Sequence, residues 1–383
     1  MSNENSSSKL RVLIVGGGVA GLEAALALND LAPELTSRTL LAPNDRFVMR
    51  PEVVREPFSY PKAQSWPVAA VAAAVDVELI VDELEWVEPE KNVVHTKSGR
   101  GIEYDALVLA LGAHPSPRFN HAITIDRNLD ETVHGLIQDV EGGYAKDLVF
   151  LAPGRMGWPL PLYELALMTS GRAYDMDVPV SITIATPEDS PLALFGATAS
   201  EAVSEVLEHA GITFIGSAYA EVPRATEVII NPGDRHLKAD RIVALPELYG
   251  PNVRGIPLSE HGFIRVDQHG EVIDLPGVFA AGDATDFAVK HGGVSTQQAD
   301  AAAEAIAARA GADLTPKPFH PVVHAMLLTD EKPLYLTARI TGGHGFSSEV
   351  SDTPKWSPPT KIASKYLTPF LDQLDQAERQ RAT

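Results

Sequence analysis

Apolar positions fall in short runs parted by turn residues, and the runs repeat one order. VLIV at 12–15 is four branched apolar residues in a row, as in a strand buried on both faces. GGGVAG at 16–21 is the turn, and 20–28 continues as a small-residue helix with almost no polar face. The same order returns with an apolar strand at 148–151, the turn APGRMG at 152–157 and a helix through 163–168. Pro159 and Pro161 are comfortable only in a first helical turn, so this helix is predicted to start near them, about one turn late. The pattern predicts further strands at 38–41, 77–80, 85–87, 92–95, 106–111, 180–185, 241–245, 263–266, 277–281 and 335–340. A strand-like piece at 47–51 ends in Arg50-Pro51. Helices are predicted at 65–75, 200–209, 296–310 and 361–376. Strand 241–245 is expected to return the chain to the first domain, and Gly342, Gly343 and Gly345 to form a loop.

The turns carry the candidate chemistry. In G-x-G-x-x-G between strand and helix, Gly16 permits the tight turn and Gly18 lets backbone approach a pyrophosphate. Gly21 lets the helix pack on the strand. The free N–H groups from Val19 and Ala20 onward, with the positive end of the helix dipole, suit an anion. An acid is expected about 20 residues later to hold a ribose hydroxyl. Ala42 stands there, with Asn44 and Asp45 just beyond. Ala110 and Gly112 leave room for a ligand at the end of strand 106–111. Gly282-Asp283 ends another strand, its carboxylate placed either to accept from a sugar hydroxyl or to cap a turn. Gly292 and Gly293 open a helix whose N-terminus again favours an anion. The second glycine turn keeps Gly154 and Gly157 but has Ala152 in place of the first glycine. Arg155 could meet a phosphate there, and Thr186 and Glu188 a ribose, so a working NAD(P) site and a relic both stay open.

Composition narrows the partners. A chain of 383 residues suggests two or three domains. It is 45% hydrophobic and 21% charged, as in soluble globular proteins. A net charge of -20 argues against nucleic acid and anionic lipid as partners. No apolar run reaches transmembrane length, and residues 1–9 are polar without a signal core. A cytoplasmic protein with a short disordered tail is expected. With no cysteine, disulfides, thiolate metal sites, iron–sulfur clusters and cysteine redox centres are excluded, and no other metal site is read. The last helix carries the apolar stripe Ile362, Tyr366, Leu367, Phe370, Leu371 and Leu374, expected to dock on the body or a partner.

Three motifs in order, at 16–21, 106–112 and 277–283, resemble the two-dinucleotide-binding-domain flavoproteins. Segments 47–51, 158–163 and 289–298 look most like the branch holding sulfide:quinone oxidoreductases and type II NADH dehydrogenases. The resemblance implies an α/β fold of two Rossmann-like domains, the second inserted in the first, plus a small C-terminal domain. Its divisions would be 1–118 with 236–314 for FAD, 119–235 for an NAD(P)-like unit, and 315–383 for an interface-like domain, leaving room for a homodimer. It implies non-covalent FAD held by Gly16, Gly18, Val19, Ala20, Gly21, Asn44, Arg50, Ala110, Gly112, Gly282, Asp283, Lys290 and Gly293. Within that set Asp283 meets the ribityl chain, while Lys290 and the Gly292–Gly293 helix lie near the isoalloxazine. NAD(P)H, if it binds, would use Gly154, Arg155, Gly157 and Glu188. Sulfide:quinone oxidoreductases use a cysteine pair, so sulfide oxidation is not expected of this chain. The expected activity is an FAD-dependent oxidoreductase passing electrons from a small-molecule donor to a quinone or other acceptor, with flavin as sole redox centre. An NAD(P)H:quinone or NAD(P)H:electron-carrier reductase is the alternative enzyme, and a non-catalytic flavin-binding scaffold the alternative class.

Overall fold

The computed structural model describes residues 9–126, 129–329, 332–341 and 344–382. Apart from Lys9, the expected tail lies outside the described residues, as do Gly342 and Gly343. Gly345, expected in the same loop, lies in the strand His344–Ser351. The helices are α1 Val19–Leu31, α2 Val68–Ala74, α3 Leu129–Glu141, α4 Leu160–Asp175, α5 Ala197–His209, α6 Gly292–Arg309 and α7 Leu367–Ala382.

The run at 12–15 lies in the middle strand of a five-stranded parallel sheet. Its order is Val278–Ala280, Ala106–Leu109, Leu10–Val15, Thr36–Ala42, Glu78–Val81. Val15 pairs with Leu41 on one side and Leu109 on the other, so these strands end together at one edge. Small residues let α1 and α6 pack closely: Ala24, Ala27, Ala299, Ala302 and Ala303 are all buried between or beneath them.

A second parallel sheet runs Ile123–Thr124, Arg241–Ala244, Asp147–Leu151, Ser181–Ala185, Ile212–Ile215. This corrects one expectation. Strand Arg241–Ala244 does not return the chain to the first sheet; it pairs with Asp147–Leu151, Val243 opposite Phe150. A short apolar run fits the middle of either sheet, and only pairing distinguishes them. Arg235–Lys238 pairs antiparallel with Glu227–Asn231, so a division at residues 235/236 would cut a hairpin. The two crossings between the sheets lie side by side as a ribbon, His114–Ser116 against Glu247–Tyr249. A third, antiparallel sheet follows: Val322–Leu327, Leu334–Thr341, His344–Ser351.

Local chemistry explains the other differences. Helix α4 begins at Leu160, directly after Pro159, as the prolines predicted. Residues 65–67 are a strand, and helix begins only after Pro67, whose fixed φ marks the junction. Residues 263–266 make only isolated bridges at Ile264 and Val266. Helix α7 starts at Leu367 rather than 361 because Pro369 must fall in its first turn. Ile362, Leu367 and Leu371 are fully or nearly fully buried against α1 and α6 residues, so the stripe docks on the body. Among the described residues no helix is long and apolar enough to cross a membrane.

Candidate functional site

The common edge of the first sheet gathers most of the predicted residues. Gly16 takes φ +118°, and a Cβ there would overlap the Ala110 carbonyl, so only glycine makes this turn. A Cβ at Gly21 would overlap the Gly16 carbonyl, so helix and turn touch backbone to backbone. Gly18, the N-cap of α1, differs: nothing lies within 4 Å of a Cβ built there, and no side chain caps the helix. The first turn of α1 therefore opens onto free space, flanked by Gly112, which is also unobstructed at φ +72°. Such a helix start holds unpaired N–H donors and favours negative charge.

Three segments close the edge around it. Ala110 donates its N–H to Val15 at 2.8 Å, and Ala281 donates to Leu109 at 3.1 Å. Gly282 brings α1 and α6 together, since a Cβ there would lie 3.1 Å from Ala20 Cβ and 3.2 Å from Ser295 Oγ. Gln298 fixes this turn by accepting the Gly282 N–H at 2.7 Å. Asp283 is half-buried and caps no helix. Burial pushes its carboxyl up, with Lys290 and Ser295 acting in the opposite direction. Ala42 is fully buried, and a Cβ at Gly17 would come 2.9 Å from its own Cβ. That packing explains why no acid occupies position 42. Asn44 and Arg50 lie beyond the strand end and are exposed.

Lys290 is not a loose loop lysine. Its Nζ donates to the Asp283 carbonyl at 3.2 Å and to the Thr285 carbonyl, and sits 4.0 Å from the centre of the Phe263 ring. Burial pushes the ammonium down to about 8, opposed by Asp283 and Asp286. Its backbone N–H donates to the Gly157 carbonyl at 2.9 Å, and a Cβ at Gly157 would overlap the Lys290 side chain. Lys290 thus joins the first site to the second glycine turn.

The second turn is tied down by the chain itself. Arg155 donates to Glu247 at 3.2 Å and to the Tyr249 hydroxyl at 2.8 Å, binding the turn to the ribbon between the sheets. Glu188 accepts from the Tyr163 hydroxyl at 2.7 Å and from Thr186 at 3.2 Å. Burial pushes Glu188 up to about 7, against those two hydrogen bonds. Gly154 faces the Tyr219 ring, 3.8 Å from a Cβ built there.

Several functional-looking groups were not singled out from sequence. Glu164 on α4 and Lys361 form an ion pair at 2.6 Å, 1% and 7% exposed. Glu23 on α1 is fully buried and holds three backbone N–H groups of residues 365–367. His291, its ring tilted against Trp158 with centroids 4.4 Å apart, is pushed down to about 3 by burial, then by His324 and Lys361. A signal existed for the two glutamates: each is a lone carboxylate inside an apolar helical run, and a buried charge needs a partner.

The comparisons bear on this geometry. The pyridine nucleotide-disulphide oxidoreductase family matches residues 10–305. A curated sulfide-quinone reductase of Aquifex aeolicus (strain VF5) is 26% identical over 258 residues, 63% of this chain. The chain spans 59% of that relative's length. The solved sulfide:quinone oxidoreductase of Aquifex aeolicus superposes with a TM-score of 0.78 at 21% identity, covering 90% of this chain and 87% of that one. An NAD-dependent persulfide reductase from A. fulgidus gives 0.62 at 17% identity over 88% of this chain and 65% of that one. A ferredoxin reductase from Rhodopseudomonas palustris gives 0.65 at 20% identity, over 87% and 83%. At these identities the three structures speak for the two-nucleotide-domain fold, and the family match speaks for membership. The chain belongs to the pyridine nucleotide-disulphide oxidoreductase family, and it carries no cysteine.

Proposed function

We propose that the chain works in the cytoplasm and passes electrons from a small-molecule donor other than NAD(P)H to a quinone or another electron acceptor. The contrast between the two glycine turns carries this reading: α1 opens on free space at Gly18, while the matching Gly154 faces the Tyr219 ring and Arg155 beside it is tied to Glu247 and Tyr249. The pyrophosphate would lie on Gly16, Gly18, Val19, Ala20 and Gly21, with Ala110 and Gly112 beside it. Gly282 and Asp283 would meet the ribityl chain, and Lys290 and Gly293 would flank the ring system. Asn44 and Arg50 would serve the adenosine end. Bound flavin supplies two-electron exchange, so no side chain has to change oxidation state. The relative's printed name supplies a quinone as the acceptor class. Sulfide is not carried over, because no cysteine is present to take up its sulfur.

NAD(P)H would have to displace Arg155 from Glu247 and Tyr249, and it would meet Glu188 already engaged by Tyr163. Slow, poorly saturating reduction by NADH and NADPH is therefore expected in anaerobic stopped-flow, against faster reduction by a suitable donor. Fast reduction at micromolar nucleotide would move the function to an NAD(P)H:quinone or NAD(P)H:electron-carrier reductase.

Lys290 yields a second expected outcome. A cation beside the ring system favours the extra negative charge of reduced flavin. Lys290→Met keeps the alkyl packing on Gly157 but removes the charge. The midpoint potential should fall by on the order of 30 mV, the equivalent of about 1.4 kcal/mol for a two-electron couple. An unchanged potential would leave Lys290 as a link between the two glycine turns and nothing more.

A further inference from the structure

Residues 361–367 cross the first turn of α6 on their way to α7. Ile362 is fully buried, and a Cβ at Gly292 would lie 2.8 Å from it. Thr296 donates its hydroxyl to the Ala363 carbonyl at 3.3 Å. At one end of the crossing Lys361 pairs with Glu164 of α4 at 2.6 Å, and the same carboxylate accepts the Leu328 N–H at 2.9 Å. At the other end Glu23 of α1 accepts the N–H groups of Lys365 at 3.0 Å, Tyr366 at 2.9 Å and Leu367 at 2.6 Å. Ser364 adds a local cap, accepting the Thr368 N–H at 2.7 Å. The carboxylates that grip this segment thus come from helices of two different sheets, α1 of the first and α4 of the second.

We propose that residues 361–367 are a strap that Glu164 and Glu23 clip over the start of α6, and that Asp300 beside Glu23 loosens the Glu23 clip as pH rises. Asp300 lies on α6, and its Oδ1 is buried without a hydrogen-bond partner. The charges that act on it are Glu23 from α1, Lys365 from the strap and Glu304 from its own helix, and Lys317 and His320 from the segment after α6 line the same recess. Burial first, and then the Glu23 charge, push Asp300 up to about 8. Burial raises Glu23 too, while its three N–H donors and Lys365 oppose the rise. Together the two carboxyls hold a proton to higher pH than a free carboxyl would.

The sign follows from linkage. Asp300 is raised in the clipped state and returns to the ordinary carboxylate range when the strap lifts and water enters. Clipping takes up a proton, so it is tightest in acid, weakens as pH rises toward about 8 and levels off above that. Lys365 stays cationic throughout: burial lowers it, but Tyr366, Asp300 and Glu304 outweigh burial and raise it.

Hydrogen exchange of the flavin-loaded protein from pH 5 to 9.5, corrected for intrinsic rates, reads the clip at the amides of residues 365–367. Their protection should fall with pH by a few-fold per unit, up to the roughly tenfold per unit of a one-proton linkage, and then flatten. Amides inside α1 should not follow. In Asp300→Asn, which cannot ionise, protection should be high and flat. Glu23→Gln should lower protection at every pH. The proposal is overturned if the wild-type amides are flat across the range. It is also overturned if Asp300→Asn shows the same fall, or if α1 loosens in parallel.

Discussion

Replacing Gly18 with leucine is expected to give a folded, colourless protein. Gly18 is the one glycine of the first turn whose Cβ would meet nothing within 4 Å. A leucine there does not collide with the protein, and the helix it caps loses no side-chain hydrogen bond, because none exists. What it fills is the space in front of the unpaired N–H groups of α1. Charge-assisted hydrogen bonds to a pyrophosphate contribute about 1.5–3 kcal/mol each. Blocking two of them weakens flavin binding by at least ~100-fold, enough to lose the cofactor during purification. The check is the flavin-to-protein absorbance ratio alongside circular dichroism. Gly21→Val is the contrast: its Cβ would overlap the Gly16 carbonyl, so the sheet and helix must separate and the fold itself should fail. A folded Gly18→Leu protein with its full flavin would falsify the placement of the pyrophosphate.

The same glycines show why part of the site could be read from sequence. Gly16, Gly18 and Gly21 do local work, and local work leaves a spacing. The late start of α4 was legible for the same reason, since proline restricts its own φ and hydrogen bonding wherever it stands. Pro369 carried an equally local signal for the start of α7, although the apolar stripe at 362–374 pointed to an earlier one. Strand Arg241–Ala244 could not be placed, because which sheet it joins depends on partners almost a hundred residues away in Asp147–Leu151. The tethered second turn was half visible. Ala152 and the prolines stand in the sequence, but Lys290, Glu247 and Tyr249, which hold the turn, come from distant segments. Glu23 and Glu164 gave the opposite lesson. Each is a lone carboxylate in an apolar helix, a signal the sequence reading left unused, and nothing in the pattern could say that both reach the same short stretch before α7.

Lys361→Met is expected to destabilise the protein by about 3–5 kcal/mol at neutral and alkaline pH, the usual cost of leaving a buried charge without its partner. Glu164 is 1% exposed, and its remaining donor is the Leu328 N–H at 2.9 Å, which cannot balance a full charge. Burial already holds the Glu164 carboxyl above the ordinary range with Lys361 in place, and losing the ammonium raises it further. A carboxyl raised by folding favours the folded state below its unfolded value and loses that advantage as pH rises through the folded one. The deficit of Lys361→Met should therefore shrink as pH falls from 8 to 5, where Glu164 can take a proton instead of a partner. The double variant Glu164→Gln, Lys361→Met should recover most of the loss, because a neutral amide still accepts from Leu328 and no buried charge remains. Urea unfolding of the three proteins at the two pH values measures each step. An equal deficit at both pH values would mean that the methionine acts by misfitting its pocket. A double variant no more stable than Lys361→Met would show that Glu164 does not carry the cost.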